Sequence, residues 1–170
     1  MQQKKNVIPM VVIMLWILAG CPLWTVHAAA QDHGISLPAA LNRAAIFSTL
    51  TDDERQLLET AATLKKGAKG EQIIFQDTAM KQMVILLDGH ASVRVNGKQV
   101  AELFGEILLG EIEFLDGPAA SADVFLLSDT DYIALDNALL KKIMDNHPRL
   151  GYRVILEIAR IEAQRLRRTN

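Results

Sequence analysis

The residues best suited to chemistry in this 170-residue chain lie in one stretch, Gly110 to Val124, "GEIEFLDGPAASADV". Gly110-Glu111 reads as a turn into a short apolar helical piece. Pro118 and the small residues Ala119, Ala120, Ser121 and Ala122 follow, and they lead into a strand. Small residues and free backbone amides let an anion approach the main chain closely. Yet the stretch carries Glu111, Glu113, Asp116 and Asp123 and no basic residue. Between Lys98 and Lys141 there are nine acids and no lysine or arginine, so the local field opposes an anion. Arg94, or an arginine from a partner chain, is the remaining source of positive charge.

Other constellations are absent from the sequence. His27, His33, His90 and His147 are far apart, and none joins a His-x-His…Glu pattern, so no metal is expected. No serine, cysteine or lysine stands in a nucleophile setting, so an enzyme is not expected and no catalytic residue is named. No cofactor is implied. The methionines of "AMKQMVIL" read as filler in a β-core.

The N-terminus carries a separate signal. Lys4 and Lys5 precede the apolar run Val7 to Gly20, and small residues follow, which is the make-up of an export signal. Three outcomes compete: cleavage after Ala30, lipidation of Cys21 in "LAGC", or an uncleaved anchor over residues 7–30. All three place the remainder outside the cytoplasm, in the periplasm or on the outer side of a bacterial inner membrane. Cys21 is the only cysteine, so no intrachain disulfide forms. Without residues 1–30 the chain has 16 basic and 20 acidic residues, a net charge of about −4, which is not the profile of a nucleic-acid binder.

The elements that position the stretch follow from pattern. Residues 31–45 form a lead-in. A capping box, Thr51 with Glu54, starts a helix expected over 51–64. From 70 to 135 the chain turns to short strands: "EQIIF", "QMVILL", "ASVRV", "KQVAEL", "DVFLL" and "DYIAL". Asn96-Gly97 is a hairpin signal, and Asp88-Gly89 and Asp116-Gly117 mark further turns. Asp136 caps a helix over 137–147, and Pro148 opens a last one over 149–168. Val154, Ile155, Ile158, Ile161 and Leu166 give that helix an apolar stripe, with Arg153, Arg160, Arg165, Arg167 and Arg168 on its other faces. The pattern is a mainly-β jelly roll, a double-stranded β-helix, with flanking helices.

In this order, "IFSTLTDDERQLL", "KGEQIIF", "MVILLDGHASV", "ELFGEILLGEIEFL" and "LLSDTDYIALDNALLKKIMDNHPRL" resemble the cyclic nucleotide-binding domain of catabolite activator proteins and of cyclic-AMP-dependent kinase regulatory subunits. The resemblance spans roughly residues 46–166. It implies a phosphate-binding cassette in which Gly110 and the amides after it approach the cyclic phosphate and Glu111 holds the ribose 2′-hydroxyl. Ser121 and Ala122 match the family's serine and alanine. The phosphate-pairing arginine falls on Ala120, one residue further from Pro118 than usual, and Glu113 stands at a position that is usually small.

Removing the partner of a buried charge costs roughly 3–5 kcal/mol. Micromolar affinity is worth roughly 8 kcal/mol, so what is left is close to millimolar. Cyclic nucleotides are therefore not expected to bind in the family's way. The intact scaffold beside the missing arginine and the acidic cassette, on an exported chain, leads to an envelope interaction module with an unknown protein partner, and the resemblance implies a homodimer through the C-terminal helix. No helix-turn-helix follows that helix, so DNA is not an expected partner. The alternative is a sensor that uses Gly110, Glu111 and Ser121 for a neutral sugar or polyol, or takes a cyclic nucleotide in a non-standard mode.

Overall fold

The computed structural model describes residues 34–117 and 119–169. The export signal, Cys21 and Pro118 therefore lie outside the described residues. Residues from Gly34 onward form one compact unit.

The lead-in is helical and belongs to the core. α1 (Leu37–Arg43) is capped by Ser36, and a turn of 3-10 helix (Ala45–Phe47) follows it. Ala40, Leu41, Ile46 and Phe47 are buried. α2 (Asp52–Leu58) has both halves of the expected capping box: the Glu54 amide donates to Thr51 Oγ1 at 3.3 Å and the Thr51 amide donates to Glu54 Oε2 at 2.9 Å. The helix stops at Leu58, six residues short of the expected end. Residues 62–67 instead form β1 (Ala62–Gly67), which pairs antiparallel with β6 (Thr130–Asp136) along its whole length. The ladder to β6 outweighs the helical spacing of Ala61 and Leu64.

β2 (Gln72–Ile74) is short, whereas β3 (Gln82–Val95) runs for 14 residues. β3 is the spine of the roll. Along one edge it pairs with β4 (Lys98–Leu109). Along the other it pairs first with β6, through residues 82–86, and then with β5 (Asp123–Leu126), through residues 91–94. Its side chains alternate between two cores. Met83, Ile85 and Leu87 join Phe47, Leu140 and Ile158 beneath the helices, while Val84, Leu86 and Ala91 face Ile107, Val124 and Leu126 inside the roll. Burial on both faces explains the unbroken apolar run.

Asp88-Gly89 is therefore not a turn between two strands. It lies inside β3, where the register to β4 shifts and the strand passes from β6 to β5. A Cβ at Gly89 would meet Leu86 Cβ at 2.7 Å, so the bend needs glycine. Asn96-Gly97 is the hairpin turn expected, with φ of 50° and 76°.

α4 (Asn137–Asn146) starts where Asp136 accepts the Leu139 amide at 2.9 Å. α5 (Pro148–Thr169) follows with Pro148 as its first residue. Its buried face is Leu150, Val154 and Ile158, with Ile161 packed against them. Ile155 and Leu166, placed on the apolar stripe by sequence, are exposed, as are Tyr152 and, in α4, Leu139. No helix among the described residues is long and apolar enough to cross a membrane.

Candidate functional site

The stretch from Gly110 onward forms a tight structure between β4 and β5. Gly110 has φ +79°, and its Cβ would lie 2.6 Å from Met80 Cε and 3.1 Å from the Gln82 carbonyl oxygen, so no other residue fits without strain. α3 (Glu111–Asp116) begins there, buries Phe114, and ends at Gly117. Lys141 of α4 stacks its ammonium over the Phe114 ring at 5.1 Å.

Two acids of this stretch accept hydrogen bonds from neutral groups. Glu113 Oε1 accepts the Ser121 amide at 3.2 Å and so takes a donor that an anion would need. Asp123 Oδ1 accepts from Gln72 Nε2 at 2.7 Å and from the Gln76 amide at 2.8 Å.

Glu111 is different. It is only 4% exposed. Arg165 of α5 reaches across and donates from Nη1 to Glu111 Oε1 and from Nη2 to the Leu108 carbonyl oxygen. The same Nη1 donates to Glu162 Oε1 at 2.8 Å. Glu111 Oε2 is buried and has no hydrogen-bond partner. Burial is the main influence on this carboxyl and pushes its pKa up to about 7. Arg165 and the Glu111 backbone amide pull it down, and the charge of Glu162 pushes it up again.

Two hollows flank Arg165. The inner one, about 240 Å3, is lined by Gly110, Glu111, Glu113, Ser121 and Ala122, with Ile74, Val93 and Leu103 among its apolar walls. The outer one, about 580 Å3, lies between β4 and α5, beside Glu102, Glu106, Glu157 and Arg160. Arg165 lines both.

Of the residues picked from sequence, Gly110, Glu111, Ser121 and Ala122 thus meet around one hollow. Ala120 does not. Its amide donates to the Thr78 carbonyl at 2.9 Å, its carbonyl accepts the Asp77 amide at 2.8 Å, and its side chain packs into the inner core. Arg94 is also elsewhere, over the Phe125 ring at 4.7 Å. No cluster of metal-ligating side chains occurs among the described residues.

Solved structures share this fold. A Geobacter metallireducens protein assigned to the cyclic nucleotide-binding proteins superposes with a TM-score of 0.68 at 17% identity, over 78% of this chain and 99% of that one. The Thermus thermophilus catabolite activator protein gives 0.59 at 22% identity, over 73% and 59%. The regulatory subunit of a cAMP-independent protein kinase A from Trypanosoma brucei gives 0.54 at 24%, over 66% and 43%. Among curated protein sequences, none matches this chain. Residues 64–147 match the family model described as the cyclic nucleotide-binding domain.

These residues belong to the cyclic nucleotide-binding domain family. Sequence reasoning missed Arg165, which lies outside the family match and 54 residues from Glu111. The signal was present: Leu150, Val154, Ile158 and Ile161 define the buried face of α5, and Arg165, four residues on, continues it.

Gly110→Ala is expected to destabilise the domain by about 1–3 kcal/mol, from left-handed strain and the contact with Gln82. Urea unfolding of the variant checks this. A loss below about 0.5 kcal/mol would show that the turn relaxes freely.

Proposed function

We propose that this chain is an exported, non-enzymatic interaction module built on a cyclic nucleotide-binding domain, and that it does not bind cyclic nucleotides in the family's usual way. The observation that carries this reading is the Arg165–Glu111 pair. The carboxylate expected to hold a ribose hydroxyl is occupied by the protein's own guanidinium. Beside it, the Ser121 amide is held by Glu113, and Ala120, at the position of the phosphate-pairing arginine, faces the core. A phosphate entering the hollow would meet Glu113 without a free cation opposite it. The likeness to a kinase regulatory subunit named as cAMP-independent supports a role for this fold without that ligand.

Calorimetric titration of the chain with cyclic AMP and cyclic GMP is expected to give no binding tighter than about 10 μM, and a tighter constant overturns the reading. The export half of the proposal rests on the N-terminal sequence. Mass spectrometry of the mature protein expressed in a bacterium is expected to find a chain beginning at Gln31 or at an acylated Cys21. An intact Met1 in the cytoplasmic fraction overturns it.

The inner hollow favours a second reading, a sensor for a neutral sugar or polyol. Gly110, Glu111 and Ser121 line it, and a neutral ligand is indifferent to the acidic field. Its volume, about 240 Å3, lies below the usual range for small-molecule pockets, so such a ligand is small or displaces Arg165. A thermal-shift screen of sugars, polyols and nucleosides separates the readings. This one expects a rise in Tm with a sugar or polyol, and no shift with any compound removes it.

A further inference from the structure

Among the described residues, Arg165 is the cation that two carboxylates share at the contact between α5 and the cassette. Glu111 Oε1 and Glu162 Oε1 both accept from the same nitrogen, Nη1 of Arg165. The two acids are therefore brought together on one donor. Glu111 Oε2, buried beside them, has no donor at all. A buried acceptor without a partner is costly, and two carboxylates crowded on a single cation repel each other. One proton on Glu111 removes both difficulties. It turns Oε2 from an orphaned acceptor into a donor, with the Glu162 carboxylate as the neighbouring acceptor, and it removes the repulsion between the two acids at Arg165.

We infer that Glu111 and Glu162 share a proton across Arg165, and that the contact between α5 and the cassette is a latch that closes on acidification. This deepens the reading of the cassette as closed by its own helix, and it rests on that reading.

Among the described residues, the charged groups around Glu111 are accounted for element by element. From α5, Arg165 and Glu162 face Glu111. On α3 itself, Glu113 is directed to the Ser121 amide. The cation of α4, Lys141, lies over the Phe114 ring. The strands contribute apolar side chains to the hollow beside it, Ile74, Val93, Leu103, Leu109 and Val124. Arg165 is a third exposed and Glu162 a quarter, so protons from solvent reach the group.

The sign follows from the direction of the shift. The carboxyl is raised from 4.5 to about 7 in the folded chain. Its protonated form is thus the one the fold prefers. The stabilisation is fully present below the unfolded value and is lost as pH rises through about 7. The latch is therefore shut in mild acid and loosened in mild base.

The test uses the full chain with 13C-labelled glutamate carboxyls and hydrogen exchange on α5. One glutamate carboxyl is expected to titrate near pH 7, and its signal disappears in E111Q. Amides of residues 158–167, corrected for intrinsic exchange, are expected to be about tenfold more protected at pH 6 than at pH 8. In E111Q, which is neutral at any pH, protection is expected to be equal at the two. E162Q is expected to lower the midpoint of Glu111, because the like charge that raises it is gone. A Glu111 midpoint near 4.5, or a pH dependence of α5 that survives in E111Q, overturns the latch. The failures are distinguishable: tight cyclic-nucleotide binding overturns the proposed function, whereas an ordinary Glu111 midpoint overturns only the latch.

Discussion

A buried carboxyl that has to be matched by a distant chain segment organises this molecule. Glu111 sits where β4 gives way to α3, in a turn that only glycine at position 110 accommodates. Removing such a carboxylate from water is costly unless charge and hydrogen bonds compensate. Arg165 supplies the charge, and also donates to the end of β4 at the Leu108 carbonyl. To do so it must lie on the inward face of α5. The rotation of that helix about its axis, and thus the burial of Leu150, Val154 and Ile158, is coupled to one ion pair at the far end.

Much of the scaffold was legible because it is set by local chemistry. The Thr51–Glu54 box, the Asn96-Gly97 turn, the Asp136 cap and Pro148 at the start of α5 each depend on neighbours a few residues away, and each appears where the sequence puts it. The failures have the opposite character. Residues 62–67 have apolar spacing compatible with a helix and become a strand because β6, some 70 residues later, offers a complete ladder. Asp88-Gly89 looks like a turn, but β3 continues through it because two different strands share its edge.

The site was half legible for the same reason. Gly110, Glu111, Ser121 and Ala122 are close in sequence and meet in space. Ala120 falls at the arginine position only on counting along a segment that carries an extra residue. Its backbone bonds to Asp77 and Thr78 rotate the side chain into the core. Arg165 is hidden by its residue type among the other arginines of α5, although its helical phase sets it apart from Arg153 and Arg160. A fold of this kind sets the position of a pocket, and single side chains from outside the cassette decide its chemistry.

α5 is tied down twice. Near its start Arg149 pairs with Glu54 of α2, and near its end Arg165 pairs with Glu111. The sixteen residue steps from Arg149 to Arg165 span about 24 Å at helical rise. Mechanically the helix is a strut pinned at both ends. With the distal pin withdrawn it becomes a lever pivoting near Pro148, and a tilt of about 10° would carry the Arg165 end through about 4 Å. A change confined to a few atoms of the cassette would then be read out as displacement of an exposed helical surface bearing Tyr152, Ile155 and Leu166.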